Sequence, residues 1–213
     1  MASTKASTKA STKASNSAGR VIAGTARGRL LASPGEGTRP IGDRVKETLF
    51  AILEPVIRDR SFLDLFAGSG AAGIEALSRG AREAVFVERD PNAQKTIERN
   101  LEATVFAGPS ARIARSQVGT WFNSGSKAGA PFAAILIDPP YDLPELLEAA
   151  LESISAAGPG GILEADGVVV AKHFWKTPPS ARIGLLRSAR ERRFGETTLT
   201  FLRWAEEEGE EDR

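Results

Sequence analysis

Ser61-Phe62-Leu63-Asp64-Leu65-Phe66-Ala67-Gly68-Ser69-Gly70-Ala71-Ala72-Gly73 is the stretch whose reading decides the fold. Its apolar start reads as a short strand, its glycines as a tight turn, and its small residues as a helix beginning. Gly68-Ser69-Gly70-Ala71-Ala72-Gly73 matches G-x-G-x-x-G, in which glycines let a ligand approach the backbone at a helix N-terminus. Asp64 stands four residues before Gly68. A carboxylate there repels a pyrophosphate and attracts a cation. The expected nucleotide-like ligand therefore carries an amine or a sulfonium, as S-adenosylmethionine does.

Outward from this stretch the chain alternates strand and helix, the pattern of a parallel sheet. Strands are expected at 61–66, 83–88, 111–114, 132–138 and 168–172. An antiparallel pair is expected at 183–191 and 197–204. The predicted fold is α/β, with a doubly wound, mostly parallel, seven-stranded Rossmann-like sheet. Ahead of it, residues 20–32 read as a β-hairpin. A helix follows, capped by Asp43 and ended by Pro55.

Ligands of such sheets bind outside the carboxyl ends of the strands. Asp64, Glu88 and Asp138 all fall there. Glu88 lies 20 residues after Gly68, the spacing at which an acid reaches ribose hydroxyls. Asp138-Pro139-Pro140-Tyr141 follows an almost wholly apolar strand. Its prolines stiffen the backbone and remove two N–H donors. A carboxylate, free carbonyls and an aromatic ring remain, an acceptor-rich clamp suited to an amino group on a flat base.

Composition excludes several chemistries. The 213 residues contain no cysteine and one histidine, His173, which argues against thiolate metal sites and Ser-His-Asp catalysis. No run approaches the roughly 18 apolar residues of a membrane span. The net charge of +1 hides an uneven distribution. Lys5, Lys9 and Lys13 sit in an acid-free start containing three Ala-Ser-Thr-Lys repeats, while the end is acidic from Glu206. Residues 1–19 are expected to form a disordered basic arm, with a fainter likeness to an organellar transit peptide. Residues 206–213 read as an acidic tail. Between the tails, Arg27, Arg29, Arg39 and Arg44 form one basic patch, and Arg190 and Arg192 belong to another. Both suit a polyanion. His173 and Trp175 read as packing or surface residues at a strand end.

With these motifs in place, the chain resembles the class I methyltransferases that modify exocyclic amino groups of bases. More narrowly, Arg20-Val21-Ile22-Ala23-Gly24, Thr38-Arg39-Pro40, Asp43–Phe50 and Gly73–Gly80 are similar to the bacterial 16S rRNA (guanine-N2)-methyltransferase family of the small ribosomal subunit. The resemblance spans residues 20–204. It implies S-adenosylmethionine bound by Asp64, Phe66, Ala67, Gly68, Ser69, Gly70, Glu88, Arg89, Ser116 and Gln117. It also implies catalysis by Asp138, Pro139, Pro140 and Tyr141. On this reading residues 20–55 are an RNA-binding extension and 56–205 the methyltransferase domain. The implied partner is 16S rRNA or an assembling 30S particle. The protein is expected to be a cytoplasmic monomer without metal or membrane. Ser116-Gln117, Lys172-His173 and Gly42 depart from the family pattern. An NAD-dependent oxidoreductase, a non-catalytic ribosome-assembly factor and an adenine-N6 methyltransferase remain as alternatives.

Overall fold

The computed structural model describes residues 17–35, 41–124 and 129–205. Arg39 and both tails beyond these limits lie outside the described residues. Two strands, β1 (Ser17–Arg20) and β2 (Leu30–Ala32), form an antiparallel hairpin. Helix α1 (Asp43–Ile57) leads into the main domain. There follow β3 (Ser61–Leu65), α2 (Ala71–Ser78), β4 (Glu83–Glu88), α3 (Pro91–Thr104), β5 (Ala111–Arg115) and α4 (Val118–Asn123). The chain then runs through β6 (Phe132–Ile137), α5 (Glu145–Ala157), β7 (Leu163–Phe174), β8 (Arg182–Ile183), β9 (Leu186–Phe194) and β10 (Thr197–Trp204).

The main sheet has the order β5-β4-β3-β6-β7-β10-β9-β8. Strands β3 to β7 are mutually parallel, and β10 runs antiparallel to both of its neighbours. Helices α1, α2 and α3 cover one face and α4 and α5 the other, each closing its own apolar layer. All six residues of β6 are buried because this central strand is covered on both sides.

Four expectations are corrected. Among the described residues the sheet has eight strands, not seven, because the segment expected as one strand over 183–191 turns back at Gly184, whose φ is +55°. Ile183 and Leu186 are both buried, so nothing in their hydrophobicity marks the break. Pro55 sits inside α1, which continues to Ile57. Leu53 and Ile57 are both packed against the sheet, and Ala51, whose carbonyl loses its helical donor, is exposed. Asp43 is the first helical residue, while Gly42 occupies the cap position. Asp43 still complements the helix dipole and meets Arg20 at 3.3 Å. The hairpin also begins at Ser17, inside the stretch expected to be tail.

The hairpin is joined to α2 by buried polar chemistry. Glu75, fully buried, accepts from the Ile22 and Ala23 amides at 2.7 and 3.0 Å and from Arg79 Nε at 2.7 Å. The equally buried Lys46 donates to the Arg20 carbonyl at 2.6 Å and stands 3.9 Å from Glu75. Burial lowers the Lys46 pKa, and Glu75 opposes that shift. Gly24 passes so close to α2 that an added Cβ would lie 1.7 Å from the Ser78 carbonyl oxygen. Among the described residues, no helix is long and apolar enough to cross a membrane.

Candidate active site

Strand order reverses between β3 and β6, and a cavity of about 740 Å³ opens at the carboxyl edge there. The strand register sets its floor. Leu65 pairs with Ile137, and Ile137 with Ala171. The next residues, Phe66, Asp138 and Lys172, therefore emerge side by side. On the other flank Glu88 pairs with Arg115, which brings Ser116 and Gln117 to the same edge.

The β3–α2 turn forms the cradle. Gly68 and Gly70 have φ of +55° and +75°, and Phe66 adopts +62°. For an aromatic residue that left-handed conformation costs about 1–2 kcal/mol. It puts the strain at the cavity wall, where such strain concentrates in functional sites. An added Cβ on Gly68 would meet only the Phe66 carbonyl, at 4.0 Å, so this glycine leaves ligand room. Gly70 does the opposite. It does not line the cavity but caps α2, where an added Cβ would lie 3.2–3.3 Å from Ile97 and Phe86. Gly73 brings α2 close to the sheet, since a Cβ there would lie 2.2 Å from the Phe86 ring.

Asp64 is 2% exposed, and its Oδ2 accepts the Gly73 amide at 2.9 Å. Burial holds its pKa well above the usual carboxylate range, the Gly73 bond opposes this, and the charges of Asp138 and Glu88 add to it. Glu88 accepts from the Gly68 and Asp90 amides, both at 2.8 Å. Asp90 in turn caps α3 through the Asn92 and Ala93 amides.

The clamp contains a residue absent from the sequence-based site. Lys172, 7% exposed, places Nζ 2.5 Å from Asp138 Oδ1 and 4.7 Å from the Tyr141 ring centroid. The Tyr141 hydroxyl lies 2.8 Å from Thr197 Oγ1, which fixes the ring. Burial raises the Asp138 pKa, and Lys172 counteracts it. Burial by itself lowers Lys172, but Asp138 outweighs that and the net shift is upward. Lys172 ends the apolar run of β7 at the carboxyl edge, the same positional signal that marked Asp138. His173, its neighbour, is buried, with Nε2 2.9 Å from Thr200 Oγ1. It packs as expected.

Of the expected cofactor residues, Asp64, Phe66, Ala67, Gly68, Ser69, Glu88, Arg89, Ser116 and Gln117 line the one cavity with Asp138, Pro139, Pro140 and Tyr141. Pro34, Ile41 and Asn92 also reach it. Arg27, Arg29, Arg44, Arg190 and Arg192 stand exposed away from its lining. Among the described residues, no group of three or more His, Asp or Glu side chains is placed to hold a metal ion.

These residues fit S-adenosylmethionine. A wall of carboxylates, one deeply buried, matches a ligand bearing an ammonium and a sulfonium, and the open Gly68 turn leaves space against the backbone. Fold and site together define a class I S-adenosylmethionine-dependent methyltransferase. The chain belongs to the family described as conserved hypothetical protein 95, which matches residues 19–203. It is 38% identical over 185 residues to YlbH of Bacillus subtilis (strain 168), named as a candidate rRNA methyltransferase, covering 86% of this chain and 98% of that protein. It is 45% identical over 123 residues to the ribosomal RNA small subunit methyltransferase D of Escherichia coli K12. That match covers 57% of this chain and 60% of the relative. Among solved structures, the candidate methyltransferase yhhF from Escherichia coli superposes with a TM-score of 0.73 at 32% identity. The superposition covers 87% of this chain and 97% of that one.

Proposed function

We propose that the protein methylates the exocyclic N2 amino group of a guanine in small-subunit rRNA, on an assembling 30S particle. The observation that carries this reading is the Asp138–Lys172–Tyr141 arrangement. A nitrogen bearing N–H groups already sits against the carboxylate and over the aromatic ring. A base amine entering the clamp needs those same two contacts. The names of the relatives support rRNA as the substrate.

When bound, the cofactor supplies an electrophilic methyl on a sulfonium. Asp64 and the Gly68 turn would hold its amino-acid end and Glu88 its ribose. The target base must be unstacked, at a cost of a few kcal/mol. It then displaces Lys172 from the Tyr141 face. Asp138 and the Pro139 carbonyl accept its N–H groups, drawing the nitrogen lone pair out of conjugation with the ring. Asp138 takes the proton released, or water does. Positioning and fixed charge account for most of the acceleration. Arg27, Arg29, Arg39, Arg44, Arg190 and Arg192 would contact phosphates, which makes binding salt-sensitive. Such an enzyme works in the cytoplasm, where ribosomes are assembled.

The test is methyl transfer from labelled S-adenosylmethionine to naked 16S rRNA, 30S particles and DNA in parallel, with mapping of the modified base. N2-methylguanine in rRNA is expected. Label appearing only in DNA, or as N6-methyladenine, would overturn the assignment. An adenine-N6 enzyme is the second reading, because the clamp contacts only the amino group and a ring face.

A pH profile examines the clamp itself. Asp138 must be ionised to accept, so activity falls as pH drops through its raised pKa. Lys172 holds that value down. Lys172→Met should therefore shift the acidic limb of kcat/KM, which reports the free enzyme, to higher pH. A limb that does not move would show that Asp138 does not govern it.

A further inference from the structure

Phe174 ends β7 beyond Lys172, Trp175 follows it in a turn, and the two carry aromatic surface away from the clamp. The Tyr141 and Phe174 ring centroids are 6.3 Å apart, and those of Phe174 and Trp175 are 6.2 Å apart. The ladder ends at solvent, with Trp175 38% exposed. An indole in that position lies outside both apolar layers of the domain.

Cations gather on this exposed ring. The Arg193 guanidinium lies 4.0 Å from its centroid and the Lys176 ammonium 5.2 Å. The register explains how a residue of β9 reaches the end of β7. Arg193 pairs with Thr198, and Thr198 with His173. Arg193 therefore stands at the same carboxyl edge as the cavity. Its Nε donates to the Gly195 carbonyl at 2.9 Å, which anchors the guanidinium while the ring remains open to solvent. Arg190 and Arg192, also exposed, alternate onto the other face of β9, so Arg193 and Lys176 are the cations at this ring.

We propose that Trp175, Arg193 and Lys176 form a binding site for a nucleotide neighbouring the target base on a single RNA strand. The base stacks on the indole and the cations meet its phosphate. This rests on the RNA-methylating function proposed above and names where the strand runs beside the clamp. A duplex is the wrong partner, because its bases present no free face. An unstacked strand does, and any base suffices, since stacking is sequence-tolerant. Base–aromatic stacking is stronger than an exposed cation–π contact, so a base displaces the flexible Lys176 and leaves its charge for the backbone.

The experiment measures fluorescence anisotropy of an end-labelled single-stranded RNA of mixed sequence with the full chain at fixed salt, alongside methyl transfer to rRNA. Trp175→Ala should weaken RNA binding roughly tenfold, with Trp175→Phe restoring most of it. Trp175→Ala should raise KM for the RNA more than it lowers kcat. Because this side chain packs into neither apolar layer, the melting temperature of both variants should match wild type. Affinity and KM within about twofold of wild type, in a preparation that methylates rRNA, would overturn this site alone. A wild-type protein that methylates no RNA would overturn the proposed function, and the site with it.

Discussion

Asp138→Ala is expected to lower methyl transfer by about 10²–10⁴-fold, the range found when a positioned catalytic acceptor or donor is removed. Affinity for S-adenosylmethionine should change little. The physical reason is the division of labour along the sheet edge. Asp138 is engaged with Lys172, whereas the glycine turn is held by Glu88 and Asp64 through the Gly68 and Gly73 amides. Removing the carboxylate also strands the Lys172 ammonium, so the isosteric Asp138→Asn is the companion variant. Its amide keeps the volume but turns a donor toward the incoming amine. Single-turnover kinetics paired with an equilibrium cofactor titration separate the two steps. Near-normal turnover in Asp138→Asn would sink the clamp mechanism.

The largest stability effect is expected at Glu75. Glu75→Leu removes the acceptor of two hairpin amides and of Arg79, and takes the counter-charge from Lys46. Breaking a buried charge cluster by deleting one partner typically costs about 3–5 kcal/mol. For a domain of this size that corresponds to a melting temperature lower by roughly 10 °C. Part of the loss is relieved because burial already favours neutral Lys46. Glu75→Gln keeps an acceptor for the amides and should recover part of the difference. Limited proteolysis should cut the hairpin of Glu75→Leu before the main domain. Unchanged melting in Glu75→Leu would mean that the cluster contributes nothing to docking.

The sequence-based view and the structure part company at identifiable residues. Asp64, the Gly68 turn, Glu88 and the Asp138–Tyr141 clamp were recognisable as strand-end features, and the cavity brings them together. Gly70 belonged to the motif, yet its place is under α2, not on the ligand side. The break at Gly184 and the persistence of α1 through Pro55 were invisible. The helix persists because burial of Leu53 and Ile57 overrides the local propensity of proline, whereas the turn at Gly184 follows glycine's freedom at positive φ within a segment whose hydrophobicity runs on. Trp175 gave no signal of its own, because an aromatic residue ending a strand is ordinary until its neighbours are known.

Alternation of apolar strands with helices dictates a doubly wound sheet, because each strand must be covered on both faces. Glycine at positive φ and acids at strand ends then place the reactive edge. Those are local rules, and the chain carries them in short stretches. The Asp138–Lys172 pair joins residues 34 positions apart, and the Arg193–Trp175 contact joins neighbours across two strand pairings. Only the register of β3, β6, β7, β10 and β9 creates them. Tertiary packing also removed water from Lys172 and Asp138, and that loss of solvent is what made their charges act on each other.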